Sequence, residues 1–160
     1  MCTDSHGNPF IASYWRPKNS KIPQYHLVYH DGSKWRISQI SKRKSSFELG
    51  GGGTKRIPIS RPQLIINSIG IKDELYMIFR DSERGNHVSV ASCEDLRNGS
   101  WNIKDLTTES VDMWEPSYDA VMWNQSKILH LFLMKVSQGD REKTENITPQ
   151  MVSILEWKPE

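Results

Sequence analysis

Tyr25-His26-Leu27-Val28-Tyr29-His30-Asp31-Gly32-Ser33-Lys34-Trp35 reads as a β-strand, a tight turn on Asp31-Gly32, and a Trp opening the returning strand. The same grammar comes back later with a longer turn. There His87-Val88-Ser89-Val90-Ala91-Ser92-Cys93 runs through Leu96-Arg97-Asn98-Gly99-Ser100 to Trp101. A strand–turn–strand unit that recurs after about 60 residues implies stacked β-sheet modules of the kind that build propeller blades.

Working outward, β-rich stretches fall into three groups. Phe10–Trp15, Leu75–Arg80 and Leu129–Met134 align as second strands, and Tyr25–Asp31, His87–Cys93 and Met151–Trp157 align as third strands. In this register the first group lacks its innermost strand and the last lacks its outermost one. The expected fold is therefore all-β, a partial β-propeller of about three four-stranded antiparallel blades. Its parts are a partial blade at 1–41, a long Gly-rich loop at 42–60, a full blade at 61–113 and a partial final blade at 114–160. A stack cut at both ends exposes raw sheet surface, through which copies can self-associate. No stretch has a sustained helical period, and Ala120-Val121-Met122-Trp123 reads as a continuation of the third β group.

Composition narrows the classes. The 160 residues are 36% hydrophobic with a mean hydropathy of −0.62, and no run of ~18 apolar residues offers a membrane span. The net charge of +2 is unremarkable. Lys42-Arg43-Lys44 is the one tight basic cluster; no aromatics interleave with it, so it reads as a solvated loop and no nucleic-acid partner is implied. Cys2 and Cys93 have no metal-ligand spacing around them, so neither a metal nor a cofactor is expected. Gly50-Gly51-Gly52-Gly53-Thr54-Lys55 fails as a phosphate cradle, because Thr precedes Lys and Arg56-Ile57-Pro58 follows instead of a helix. It reads as a loop tip. Asn98-Gly99-Ser100, Asn124-Gln125-Ser126 and Asn146-Ile147-Thr148 fit the N-glycosylation pattern.

Several motifs in order resemble a known family. They are Asp4-x-x-Gly7-x-Pro9-x-Ile11-Ala12-x-Tyr14-Trp15, Pro23–Val28, Ser60-Arg61-Pro62, Phe79-Arg80-Asp81 and Trp114-Glu115-Pro116-x-Tyr118-Asp119. Together they resemble the later blades of BNR-repeat, neuraminidase-like proteins, a group similar to the ulvan-lyase type of polysaccharide lyases, which fold as seven-bladed propellers. The resemblance implies the C-terminal part of a secreted or periplasmic protein whose partner is a polysaccharide or other glycan. The expected parent activity is β-elimination on a uronic-acid polymer, with the segment inactive alone. The alternatives are a non-catalytic glycan-binding or structural segment, and a sialidase-like hydrolase. Both Asp-box-like turns are degenerate, which disfavours the last, and Arg56-Ile57-Pro58 lies too late in the chain for a sialidase Arg-Ile-Pro motif.

On the aligned register, one face collects the candidate site. A lyase needs a cation to grip the carboxylate, for which Arg61 and Arg80 are the candidates. It needs a base, for which His26 titrates in the right range, and an acid for the leaving oxygen, for which Tyr14 and Tyr118 stand. Trp15 can stack on a sugar ring, and Glu115 completes the substrate-binding set. Each also has a packing reading: His26 as a strand core residue, Arg61 as a loop staple, Arg80-Asp81 as a surface ion pair, and Tyr118 as a blade-entry core residue.

Overall fold

The computed structural model describes residues 1–48, 50, 53–69, 72–93, 95–96, 98–143 and 145–159. The chain is mostly β, arranged in three antiparallel sheets. The first sheet runs β1 (Cys2–Thr3), β2 (Pro9–Trp15), β3 (Gln24–His30) and β4 (Trp35–Gln39) in simple up-and-down order. The middle sheet repeats that order with β5 (Gln63–Ile69), β6 (Lys72–Asp81), β7 (His87–Cys93) and β8 (Asn102–Asp105). The third is a two-stranded ribbon of β9 (Leu129–Met134) and β10 (Val152–Trp157). Two compact units divide the chain: Met1–Phe47, Pro62–Ile78 and Ser89–Lys104 form the first, and Glu48–Arg61, Phe79–Val88 and Asp105–Glu160 the second.

The second and third strands of each group form where the aligned stretches place them. Two local expectations are corrected. The first group does have a strand before β2, the stub Cys2–Thr3, which pairs with Phe10 and Pro9 at the edge of the sheet. Two residues carry too little pattern to be seen in a sequence, and pairing alone defines them. Ala120–Ser126 is a helix, α1, not an extended segment. Asp119 caps it by accepting from the backbone N–H of Val121 and Met122, at 2.9 and 3.0 Å. Lys127 closes it in the left-handed conformation, and only Trp123 of the helix is buried. Two turns are too short to show an amphipathic period. Ahead of β9 the third group has only an isolated bridge, between Tyr118 and Leu131, among the described residues.

The Asp31 turn shows how local chemistry sets the first sheet. Oδ1 of Asp31 accepts from the backbone N–H of Ser33 and Lys34, at 3.0 and 2.9 Å, and from the Ser33 hydroxyl at 2.8 Å. The Arg36 guanidinium donates to Oδ2. That guanidinium, with the turn amides behind it, holds the Asp31 carboxyl far below the usual carboxylate range. Gly32 takes the positive φ of 90° that the turn needs. Trp35, which ends the turn, is 57% exposed and meets His30 edge-on at 5.5 Å.

Strand alternation then sorts the first sheet. Phe10, Tyr25, Leu27 and Tyr29 lie on one face and are buried, with Phe10 and Tyr29 stacked at 5.8 Å. The second-unit core gathers Ile59, Trp114, Trp123, Leu129 and Leu131. Gly51 and Gly52, the centre of the glycine run read as a loop tip, lie outside the described residues.

Candidate functional site

The candidates fall into two groups, one in each unit. In the first unit, β2–β3 pairing sets Ser13 opposite His26, Tyr14 opposite Tyr25 and Trp15 opposite Gln24. Trp15 and His26 therefore share a face, and their rings stack at 3.9 Å and 13°. Tyr14 is on the other face, edge-on to Tyr25 at 6.1 Å. Alternation thus separates Tyr14 from His26, and the two do not act as an acid–base pair across one substrate.

His26 is buried, and its Nδ1 finds no hydrogen-bond partner among the described residues. Burial lowers its pKa, with a backbone hydrogen bond at Gln24 opposing, so the ring is held neutral. Gln24 beside it is a buried hub. Its Oε1 accepts from the Ser41 hydroxyl at 2.7 Å and from Arg43 N–H at 2.8 Å, while Nε2 donates to the Arg43 carbonyl at 2.8 Å. This hub folds the 41–43 segment back onto the sheet. Arg43 is consequently buried over the Phe47 ring, which corrects the solvated-loop reading of Lys42-Arg43-Lys44; only the two lysines are exposed.

In the second unit, Arg61, Arg80 and Glu115 come together. Glu115 Oε2 accepts from the Arg61 backbone N–H at 2.8 Å and lies 3.6 Å from Arg61 Nε. Partial desolvation pushes the Glu115 carboxyl up against the pull of both arginines. The Arg61 side chain is largely exposed. Arg80 is fully buried: Nε donates to the Trp114 carbonyl and one terminal nitrogen to Asn86 Oδ1, each at 3.1 Å. Asp81 is buried too and caps the short 3-10 turn at Ser82–Arg84, so the surface ion-pair reading of Arg80-Asp81 is corrected. Tyr118 sits half-buried at the Leu131 bridge. Asp119 is committed to the helix cap, so it does not stand with Glu115 as a carboxylate pair. Arg56 is held by Asp140, which accepts its backbone N–H at 2.8 Å, and its side chain lies 3.9 Å from Glu145.

One site was not legible in the sequence. A cleft of about 790 Å³ opens in the first unit beside the Asp31 turn. Two loop pairs rim it: Asn8 Nδ2 donates to Asp4 Oδ2, and Asn98 Nδ2 donates to Asp95 Oδ2, both at 2.8 Å. Phe10 and Tyr29 line it as well, and the Tyr29 hydroxyl donates to the Leu96 carbonyl at 3.2 Å. Spacing hides this site, because the loops that form it stand almost a hundred positions apart. No family model and no curated protein matches the chain.

Proposed function

We propose that the three sheets are blade-type modules of a carbohydrate-active β-propeller, and that this segment binds glycan without itself supplying a complete acid–base set. The observation that carries the reading is the first-unit cleft. Its two carboxylate–amide pairs, with Ser33, Ser38 and Tyr29, offer donors and acceptors for sugar hydroxyls, while Phe10 supplies an apolar wall. Asp4, Asp31 and Asp95 outweigh Arg36 in charge, so a neutral glycan suits this cleft better than a polyuronate. Asp4 and Asp31 both have lowered pKa values and hold that charge at neutral pH.

β-Elimination by the parent protein is the second reading, supported by the neutral state of His26, the form in which an imidazole accepts a proton. The experiment passes the chain over immobilised neutral and uronate glycans, then incubates it and the full-length parent with the same panel under ultraviolet absorbance. Retention on neutral glycans that falls at least tenfold in Asn8→Ala/Asn98→Ala supports the binding reading. An absorbance rise in the parent that His26→Ala abolishes moves the function to the lyase. No retention and no rise sinks both.

A further inference from the structure

The three sheets hold four, two and four strands, and the difference lies at one edge. In the two larger sheets a fourth strand covers the outer side of the third, β4 against β3 and β8 against β7. β10 has only β9 beside it. Backbone direction shows which groups this leaves over. Phe132 N–H donates to the Ser117 carbonyl at 3.3 Å, and the His130 carbonyl accepts from Asp119 N–H at 3.0 Å. His130 and Phe132 thus turn their backbone groups to the 117–119 segment, so Leu129, Leu131 and Leu133 turn theirs to β10. Their partners there are Trp157, Leu155 and Ser153. The N–H and C=O groups of Val152, Ile154 and Glu156 therefore point away from β9. None of these backbone groups has a hydrogen bond among the described residues, and all three residues are exposed.

Strands that end a sheet are kept short or charged. β8 has four residues, two of them Lys104 and Asp105, and β4 has five, with Arg36 among them. β10 offers six, Val-Ser-Ile-Leu-Glu-Trp, with one charge and no proline. A row of unpaired backbone groups on such a strand is a template for an added strand.

The repeat says which kind of strand fits. Gly32-Ser33-Lys34-Trp35-Arg36-Ile37 leads into β4, and Gly99-Ser100-Trp101-Asn102-Ile103 leads into β8. Both covering strands read Trp-x-Ile after Gly-Ser. We propose that the outer edge of β10 takes up an antiparallel strand of this Trp-x-Ile type from another polypeptide. In the first sheet Asp31 N–H donates to the Lys34 carbonyl, and Ile40 N–H to the Tyr25 carbonyl. Arg36 and Ser38 accordingly turn their backbone groups to β3, opposite Tyr29 and Leu27. On β10 the free groups of Glu156 and Ile154 take the places of Tyr29 and Leu27. That register sets the Trp opposite Trp157 and the Ile opposite Leu155, both half-buried, and the Arg opposite Glu156. Displacement by one residue misses the free groups, and displacement by two toward the start of β10 sets the Ile against Ser153. The edge belongs to the second unit and the cleft to the first, so this pairing does not depend on the glycan reading.

Fluorescence anisotropy of a labelled peptide copying Gly32–Ile40, titrated with the 160-residue chain, tests it. The expected dissociation constant is on the order of 10 to 100 μM. Ile154→Pro removes one outward N–H and leaves the β9 ladder whole, since an edge strand tolerates proline. Binding is expected to fall at least about tenfold with an unchanged far-ultraviolet spectrum. A peptide N-methylated at its Arg36 and Ser38 positions is expected not to bind the unaltered chain, which no folding defect can imitate. Methylation at the Trp35 and Ile37 positions, whose amides point away from the acceptor, is expected to leave binding in place. Absence of binding, binding that Ile154→Pro leaves unchanged, or equal affinity for the two methylated peptides overturns the proposal. A dimer of the chain that Ile154→Pro dissolves overturns it too, by giving the edge to a second copy.

Discussion

The first sheet and the β9–β10 ribbon are both antiparallel and both bury one face, yet they treat polar groups in opposite ways. In the first sheet polar side chains are used, buried at Gln24 and exposed at the Asp31 turn. Gln24 ties the 41–43 segment to the strands through three bonds, and Asp31 staples the turn beyond β3. In the ribbon the core face is entirely leucine along β9, while the outward face shows Phe132, Met134, Val152 and Ile154. Both leave apolar side chains in water, Trp35 and Ile37 in the first sheet as well as Phe132 and Ile154 in the ribbon; what differs is the buried polar hub that the first sheet has.

Three substitutions sharpen this contrast. The largest effect is expected at Gln24→Leu, which keeps the volume but strands the Ser41 hydroxyl and the Arg43 backbone groups in a buried place. At about 1–3 kcal/mol for each buried group left unpaired, urea unfolding should show a loss of roughly 2–4 kcal/mol. A loss below about 0.5 kcal/mol would mean that the hub is ornamental and the first sheet is held by its aromatic face alone.

A smaller effect is expected at His26, read through pH. Burial lowers its folded-state pKa, so the unfolded chain binds the proton more readily. The stabilising contribution is complete above the unfolded value of about 6.5 and is lost as pH falls from there toward the folded pKa. His26→Phe, stacked on Trp15 in the same way, should flatten the stability curve over that window. An unchanged slope would place the titration on another histidine.

The smallest effect is expected in the ribbon. Ile154→Thr, on the outward face, should change the stability of the dilute chain by no more than about 0.5 kcal/mol, measured by thermal unfolding. A loss several times larger would show that the face already packs within the chain, and the contrast with the first sheet would fail.

Alternation and turn chemistry made much of the β framework readable in advance. The second and third strands of all three groups stand where their β-formers and the Asp31-Gly32 turn put them. Short elements were not readable: Cys2–Thr3 exists only through its pairing with Phe10 and Pro9, and α1 only through the Asp119 cap. Of the candidate site, the adjacency of Trp15 and His26 follows from strand register. The separation of Tyr14 from His26 follows from the same register, once the pairing is known. Arg61 with Glu115 was suggested only by motif order; a 2.8 Å backbone bond joins them.

What the sequence determined by itself is therefore what depends on neighbours along the chain. It set strand positions, the turn at Asp31-Gly32, and which residues alternate to opposite faces, because these follow from φ/ψ preference and a two-residue period. Tertiary structure alone decided the burial of Arg80 and Arg43, the cleft between Asp4-Asn8 and Asp95-Asn98, and the exposure of Phe132 and Ile154. Burial and exposure depend on which distant segments arrive to cover a side chain, and a one-dimensional pattern does not encode that arrival.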